Sequence, residues 1–211
     1  MLSSVIFDLD GVIINSEPLM RYAFSVCYRQ VVGEGTPPTE RFLEHMGESF
    51  PHILKQLELP LSLWEPYRKL CQSHIEQIRV FSGAREGLEW LRCQDIRMAI
   101  LTGKDRERTE QILAYFDLEH FFTTVLSSDE LNNPKPHPEG IQLLLKRLES
   151  DAKDTVMVGD GVSDILCAQN AGVRSIAALW GTKPERLRQF SRPDYFASDW
   201  ADLTRKLQAL L

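Results

Sequence analysis

The sequence is short of paired cysteines, of long apolar runs and of positive charge, and each shortage argues against a class of protein. Its four cysteines are scattered and include no Cys-X-X-Cys pair, so reduced thiols are expected rather than a disulfide framework or a zinc site. No apolar run approaches the roughly 18 residues that a membrane-spanning helix needs. A formal net charge of -6 argues against non-specific binding to nucleic acid or to an anionic membrane.

Glycine and proline are also too few, at 12 and 11 residues, for a low-complexity or collagen-like chain. The remaining composition is that of a globular protein, since 43% of the 211 residues are hydrophobic and 26% are charged. This length suits one domain, or a core with one modest insertion. Asp8 and Asp10 interrupt any apolar signal region at the N-terminus, so a cytoplasmic protein is expected.

Most of the chain alternates short β-branched runs with amphipathic helical stretches. Several runs are apolar throughout, which is typical of parallel strands covered on both faces. The alternation predicts an α/β fold with a doubly wound parallel sheet, built from residues 1–15 and 82–211. Its strands are predicted at Ser4–Leu9, Arg97–Thr102, Thr124–Ser127, Thr155–Gly159, Arg174–Leu179 and Tyr195–Ala197. Its helices are predicted at Gly83–Cys93, Arg106–Phe116, Glu139–Leu148, Ser163–Ala171, Pro184–Phe190 and Trp200–Leu210.

Residues 16–81 differ from the rest, because they contain no convincing strand. Helices are predicted there at Glu17–Val31, Thr39–His45, Phe50–Gln56 and Ser62–Ile78, separated by glycine and proline. This segment follows the first strand directly. It is therefore predicted to be a helical insertion in the α/β core rather than an appended domain.

The first predicted strand ends in two carboxylates, Asp8 and Asp10, followed by Gly11. Ligands bind at the carboxyl ends of strands in open α/β sheets. If the strand continues through both acids, their side chains lie on the same side, where they repel unless a cation binds or one is protonated. Gly11 permits a tight turn and a close approach of a ligand. The alternative interpretation is an ordinary Asx-rich turn.

A second predicted strand runs into Asp160, with Asp164 four residues further on. A helix beginning near Val162 would place Asp164 in its first turn, where a carboxylate also compensates the helix dipole. A helix N-cap at Ser163 is the structural alternative. Carboxylates from two strand ends suit a hard cation with oxygen ligands, Mg²⁺ before Ca²⁺, whereas zinc would need histidine or cysteine.

Two further segments are expected at the same edge of the sheet. Thr102 and Gly103 offer a hydroxyl and a flexible backbone at a strand end, while Lys104 is more simply interpreted as a solvated charge, although it could reach a substrate. Lys135 stands between two prolines, which suits a rigidly placed ammonium beside carboxylates and a phosphate. His137 is expected to be a bystander.

These residues, in this order, resemble the four motifs of the haloacid dehalogenase superfamily. The motifs are Asp8-Leu9-Asp10-Gly11-Val12, Thr102, Lys135-Pro136 and Gly159-Asp160-Gly161-Val162-Ser163-Asp164. Within the superfamily, the chain resembles the phosphoglycolate phosphatase and β-phosphoglucomutase-like branch. That branch has a Rossmann-like core with a helical cap between the first two motifs, which corresponds to residues 16–81 here.

The resemblance implies a role for each matching residue. Asp8 would be the nucleophile that forms an aspartyl-phosphate. Asp10 would protonate the leaving oxygen and then deprotonate the attacking water. Thr102 and Lys135 would complete the catalytic set, and Lys135 would also orient Asp8. The transferring phosphate would be bound by Asp8, Gly11, Thr102, Gly103 and Lys135.

The resemblance also implies a Mg²⁺ site. The ion would be held by the Asp8 carboxylate, the Asp10 backbone carbonyl and Asp160, with Asp164 in direct contact or one layer out. Two positions depart from the pattern: Asn15 stands where the family usually has Asp, and Met20 stands where the mutases carry His.

The expected function is Mg²⁺-dependent hydrolysis of a small phosphorylated metabolite, such as a sugar phosphate, an aminosugar phosphate or a phosphoglycolate-like compound. Alternatives are a sugar-phosphate mutase and a non-catalytic binding module on the same fold. A dehalogenase is disfavoured because those enzymes lack the acid corresponding to Asp10 and need no metal. Neither nucleic acid nor membrane is expected as a partner, and a monomer or weak dimer is expected.

Overall fold

A computed structural model describes residues 1–181 and 184–211 of the protein. In these residues, strands β1 to β8 cover Ser4–Phe7, Ile14–Asn15, Arg79–Val80, Arg97–Leu101, Thr124–Leu126, Thr155–Gly159, Arg174–Ala178 and Tyr195–Ala197. Helices α1 to α10 cover Glu17–Val31, Thr39–Leu43, Phe50–Gln56, Trp64–Ser73, Ala84–Cys93, Arg106–Tyr115, Glu139–Arg147, Val162–Ala171, Pro184–Phe190 and Trp200–Gln208.

Six of the strands form one parallel sheet in the order β5-β4-β1-β6-β7-β8. This is the strand order of a doubly wound sheet, in which successive strands are added first on one side of β1 and then on the other. Such a reversal of strand order opens a crevice at the carboxyl ends of the strands beside β1. Every residue of β1 and β6 is buried, which explains why these segments are apolar throughout rather than alternating. The predicted fold class is confirmed, and the predicted strands are correct to within two residues at each end.

The first strand is shorter than predicted, and two short strands were not predicted. β1 ends at Phe7, and Asp10 instead forms an isolated bridge with Ile14. β2 and β3 pair antiparallel, with Ile14 opposite Val80. Two-residue strands leave too little periodicity to be recognised in a sequence. This pair joins the two ends of the helical segment 16–78 to the core.

The segment 16–78 contains α1 to α4 and two short 3₁₀ turns, which agrees with the prediction that it is helical. The single helix predicted over Ser62–Ile78 is wrong, because a 3₁₀ turn over Leu61–Leu63 precedes α4 and another over Ile75–Gln77 follows it. Pro66 explains the late start, since it has no N–H to bond to Ser62 and fits only the first turn of a helix. The division into a separate core domain and cap domain stays a prediction.

One apolar cluster continues from the sheet into the helical segment. It includes Phe7 of β1, Phe42 of α2 and Tyr67 of α4, and the opposite face of the sheet has its own cluster around Met157. Within the helical segment, the Phe50 and Tyr67 rings stack with centroids 4.0 Å apart. The sheet and the insertion therefore share buried apolar surface.

All four cysteines are free. Across the described residues, no helix has the length and apolarity needed to cross a membrane.

Packing against Trp200 gives a test of the core. Gly87 lies inside α5, where alanine would ordinarily be favoured by about 1 kcal/mol. A Cβ at Gly87 would lie 2.6 Å from Cε3 of Trp200. Gly87→Ala is therefore expected to lower the free energy of unfolding by about 1–3 kcal/mol in urea titrations. Glu86→Ala, at an exposed neighbouring position, is the control; equal stability of the two variants would contradict this packing.

Candidate active site

The strand order brings the predicted site residues to one edge of the sheet. Asp8 follows β1, Thr102 follows the neighbouring strand β4, and Asp160 follows β6 on the other side. Lys135 lies in the loop before α7, and Asp164 lies in the first turn of α8. All five side chains are buried.

Asp8 is held by donors on one oxygen only. Its Oδ1 accepts a hydrogen bond from the Leu9 backbone N–H at 2.7 Å and lies 3.2 Å from Nζ of Lys135. Its Oδ2 is buried and has no hydrogen-bond partner among the described residues. An oxygen in this state is costly unless a cation or another group binds it.

The ammonium group of Lys135 contacts residues from several of these segments. Its Nζ donates to Oδ1 of Asp164 at 2.6 Å and to the Leu101 backbone carbonyl at 3.0 Å, besides its contact with Asp8. Oδ2 of Asp164 accepts the Gly161 N–H at 3.0 Å. Both oxygens of Asp164 are thus committed, which suits a residue that orients Lys135.

The residues of this cluster fit a divalent cation. Ligand oxygens of Asp8, Asp160 and Asp164 lie within 4.8 Å of one another. Oδ1 of Asp160 and Oγ of Ser163 are, like Oδ2 of Asp8, buried and have no hydrogen-bond partner in the described part of the chain. Three carboxylates around one ammonium leave an excess of two negative charges, which a divalent ion with oxygen ligands would balance.

Burial changes the proton affinities of the cluster in the metal-free protein. Desolvation, reinforced by Asp164 and Asp10 and opposed by Lys135, raises the pKa of Asp8 from 3.8 to about 8. Desolvation and the neighbouring carboxylates likewise raise the pKa of Asp160 well above its ordinary value. Burial alone would lower the pKa of Lys135, but its contacts with Asp164 and Asp8 outweigh burial and raise that pKa.

Asp10 faces a different cation from the one that binds Asp8. Its Oδ2 lies 3.1 Å from Nζ of Lys104, and its Oδ1 accepts a hydrogen bond from the Ser16 hydroxyl. The interpretation of Lys104 as a solvated charge is wrong, because its residue is only 7% exposed. Nothing in the local sequence indicates that a single lysine in a loop is buried. Lys104 is buried because residues of the helical insertion pack over it.

Gly11, Gly103 and Thr102 lie in tightly packed loops at the same edge of the sheet. Gly11 has φ +74°, and a Cβ there would lie 2.0 Å from Oδ2 of Asp160, so no other residue fits. Oγ1 of Thr102 accepts the Lys104 N–H at 3.2 Å. A Cβ on Gly103 would lie 2.5 Å from the backbone carbonyl oxygen of Gly47. The core loop thus touches the insertion directly.

The insertion also reaches the carboxylates, which the sequence did not reveal. A Cβ on Gly47 would lie 3.1 Å from Oγ of Ser163 and 3.5 Å from Oδ2 of Asp8. The loop after α2 therefore lies over the site. Arg108 of α6 is a second missed residue, since it is buried although its type and position are typical of a helix surface. His137, expected to be a bystander, is exposed.

The fold and the site define the class of the protein: a doubly wound α/β enzyme with a carboxylate cluster and a buried lysine at the crevice beside its first strand. The chain belongs to the haloacid dehalogenase-like hydrolase family, whose model matches residues 5–178. Both the predicted family and the predicted enzyme class, a phosphatase of this family, are confirmed.

Relatives and solved structures of similar fold extend over nearly the whole chain. The chain is 30% identical over 209 residues to the putative pyrophosphatase PpaX of Caldanaerobacter subterraneus, covering 97% of this chain and 94% of that relative. A hydrolase from Pseudomonas syringae has a TM-score of 0.88 at 21% identity, covering 98% of both chains. The β-phosphoglucomutase of Clostridium difficile has a TM-score of 0.83 at 19% identity, covering 100% of this chain and 97% of that one. The two structural likenesses show the fold.

The raised pKa of Asp8 gives a prediction for stability against pH. Between about pH 4 and pH 8, Asp8 stays protonated in the metal-free folded chain but ionises in the unfolded chain, so stability is lost as pH rises. Asp8→Asn removes this loss. In chelator, the free energy of unfolding of the variant relative to wild type is expected to rise from pH 5 to pH 8, by several kcal/mol in order of magnitude, and its melting temperature is expected to rise with it.

Differential scanning fluorimetry across this pH range is the measurement. Asp117→Asn, which changes a carboxylate with a side chain 92% exposed, is the matched control. If the difference in melting temperature between Asp8→Asn and wild type stays constant from pH 5 to pH 8, the pKa of Asp8 is not raised by burial.

Proposed function

We propose that the protein is a Mg²⁺-dependent phosphatase that hydrolyses a small phosphorylated metabolite through an aspartyl-phosphate on Asp8. The observation that carries this proposal is the buried Oδ2 of Asp8, which has no hydrogen-bond partner in the described chain and lies at the crevice of the sheet. Lys135 contacts the other oxygen of the same carboxyl at 3.2 Å, and Asp10 follows two residues later in the chain. This combination suits phosphoryl transfer to a carboxylate followed by hydrolysis.

In the first step, an Asp8 oxygen forms a bond to phosphorus while the bond from phosphorus to the leaving oxygen breaks. Asp10 gives its proton to that leaving oxygen. Ser16 and Lys104 hold the Asp10 carboxyl in place through one oxygen each. Lys135, fixed by Asp164 and the Leu101 carbonyl, keeps the Asp8 carboxyl oriented toward the crevice.

In the second step, water attacks the phosphorus of the aspartyl-phosphate and gives a proton to Asp10. Inorganic phosphate leaves and the Asp8 carboxylate is restored. Thr102 and Lys135, with the backbone of Gly11 and Gly103, are proposed to bind the phosphoryl oxygens. The loop at Gly47 would limit the access of other water molecules during the reaction.

Asp8 and Asp160, with the Asp10 backbone carbonyl, would hold the Mg²⁺, and Asp164 would orient Lys135 beside it. When bound, Mg²⁺ would supply positive charge that lets an anionic nucleophile approach an anionic phosphate. The excess negative charge of the cluster and its oxygens without partners support this assignment.

The substrate is proposed to be a small molecule rather than a nucleic acid or a membrane component. Curated relatives at about 30% identity are named pyrophosphatases, so inorganic pyrophosphate is the first compound to test, beside sugar phosphates and phosphoglycolate. A monomer or weak dimer in the cytoplasm is part of the proposal. The free thiols of all four cysteines are consistent with a reducing compartment.

Removal of the metal and of each acid tests the mechanism. Hydrolysis of p-nitrophenyl phosphate is expected to stop in excess chelator, to return with Mg²⁺ and to be suppressed by Ca²⁺, whose bidentate binding would occupy the nucleophilic oxygen.

Asp8→Asn is expected to abolish turnover, and Asp10→Asn to slow it by about 10²–10⁴-fold. Asp117→Asn is the control; full activity in chelator would refute the metal assignment.

Product stoichiometry separates the phosphatase from a mutase. A mutase must protect its aspartyl-phosphate from water, and the mutases that the chain resembles carry a histidine where Met20 stands. Met20 lines the cavity beside Asp10 and has no proton to exchange. With a sugar 1-phosphate and Mg²⁺, inorganic phosphate is expected in amounts equal to the free sugar. Accumulation of the 6-phosphate with little free phosphate would favour a mutase.

A further inference from the structure

A small cavity lies beside Asp10, between the core and the helical insertion. Lys104 and Arg108 line it from the core, and Met20 and Tyr67 line it from the insertion. Its volume is about 20 Å³, which is room for a water molecule. Because Asp10 is the proposed acid for the leaving oxygen, the leaving part of a substrate must enter this side of the site.

Arg108 lines this cavity, and some of its N–H donors have no acceptor in the described chain. The residue is 4% exposed, and its Nε donates to Asp105. Its Cζ lies 5.0 Å from the centre of the Trp64 ring and 5.6 Å from that of Tyr67, both on α4 of the insertion. No described residue accepts a hydrogen bond from its two terminal amino groups. A buried guanidinium fork in this state matches a carboxylate or a phosphate.

The acidic groups that line the cavity are already paired with other residues, so they do not accept from the terminal amino groups of Arg108. Lys104 has one carboxylate partner there, Asp10. Glu48 also lines the cavity, but its carboxylate accepts from Gln56 at 3.1 Å and contacts His45 at 3.0 Å. Asp105, the partner of Arg108, is not among the lining residues.

We propose that Arg108, assisted by Lys104, binds an anionic group on the leaving part of the substrate. This inference rests on the proposed phosphatase function and narrows its substrate class. The preferred substrates are phosphate esters or anhydrides that carry a second carboxylate or phosphate close to the departing oxygen. A neutral sugar in the same place would offer these two amino groups no charged acceptor, and Asp105 at Nε would stay the one carboxylate that Arg108 contacts among the described residues.

Matched substrates test the preference directly. Phosphoglycolate and 2-hydroxyethyl phosphate differ by a carboxylate in place of a neutral hydroxymethyl group, and ethylene glycol bisphosphate and 2-hydroxyethyl phosphate, both esters of the same alcohol, differ by a second phosphate. Each anionic member is compared with its neutral partner by kcat/KM, so the two pairs distinguish a carboxylate from a phosphate. A preference on the order of 10²-fold is expected for at least one pair.

Variants then assign the preference to Arg108. R108Q is expected to lower the ratio of anionic to neutral kcat/KM by about 10²-fold, mostly through KM, and R108K to lower it by less. R106Q changes an exposed arginine of the same helix and is the matched control. Because R108Q leaves the buried Asp105 without its partner, D105N/R108Q removes both charges and guards against a folding defect.

Product inhibition gives a readout on the wild-type enzyme alone. Glycolate is expected to compete with p-nitrophenyl phosphate, whereas ethylene glycol at the same concentration is not. If p-nitrophenyl phosphate is not hydrolysed at all, the proposed phosphatase function fails. If it is hydrolysed but neither pair shows a preference, or if folded R108Q keeps the wild-type ratio, the assignment of Arg108 is overturned while the phosphatase function stands.

Discussion

The rest of the site depends on an imbalance of buried charge, in which three carboxylates share one ammonium. Lys135 can neutralise only one of Asp8, Asp160 and Asp164, and two of the carboxylates keep an oxygen with no hydrogen-bond partner among the described residues. Taking such charges out of water is costly, and a folded protein tolerates the cost where another group binds. The cluster is therefore strained as a metal-free structure and suited to a cation and a phosphate.

The helical insertion determines how this strained cluster meets solvent. Its loop at Gly47 lies over Asp8, and its aromatic rings on α4 enclose Arg108. The exposed pair of Arg68 on α4 and Glu107 on α6 joins the insertion and the core at the same interface, although surface ion pairs contribute little to stability. The carboxylate cluster thus lies on the sheet edge, whereas residues of the insertion line one wall of the cavity beside Asp10.

Two buried lysines pair with the two acids that follow the first strand, Lys135 with Asp8 and Lys104 with Asp10. Lys135 is fixed by three acceptors on the side of Asp8, where the phosphoryl group is proposed to bind. Lys104 lies on the side of Asp10, close to the cavity that Arg108 lines. A substrate with charge at both ends would engage both sides, and one with a neutral leaving part would engage only the first.

The sequence by itself determined the fold class and placed most of the candidate site residues at one edge of the sheet, because β1, β4 and β6 are short apolar runs followed directly by Asp8, Thr102 and Asp160. The acids at Asp8 and Asp160 could be placed together because parallel strands share one carboxyl edge. Only the tertiary structure decided that Lys104 and Arg108 are buried, since lysine and arginine after a strand or on a helix ordinarily face solvent. Their burial results from the packing of α4 and the loop at Gly47 over the core, and no local pattern in the chain records that long-range contact.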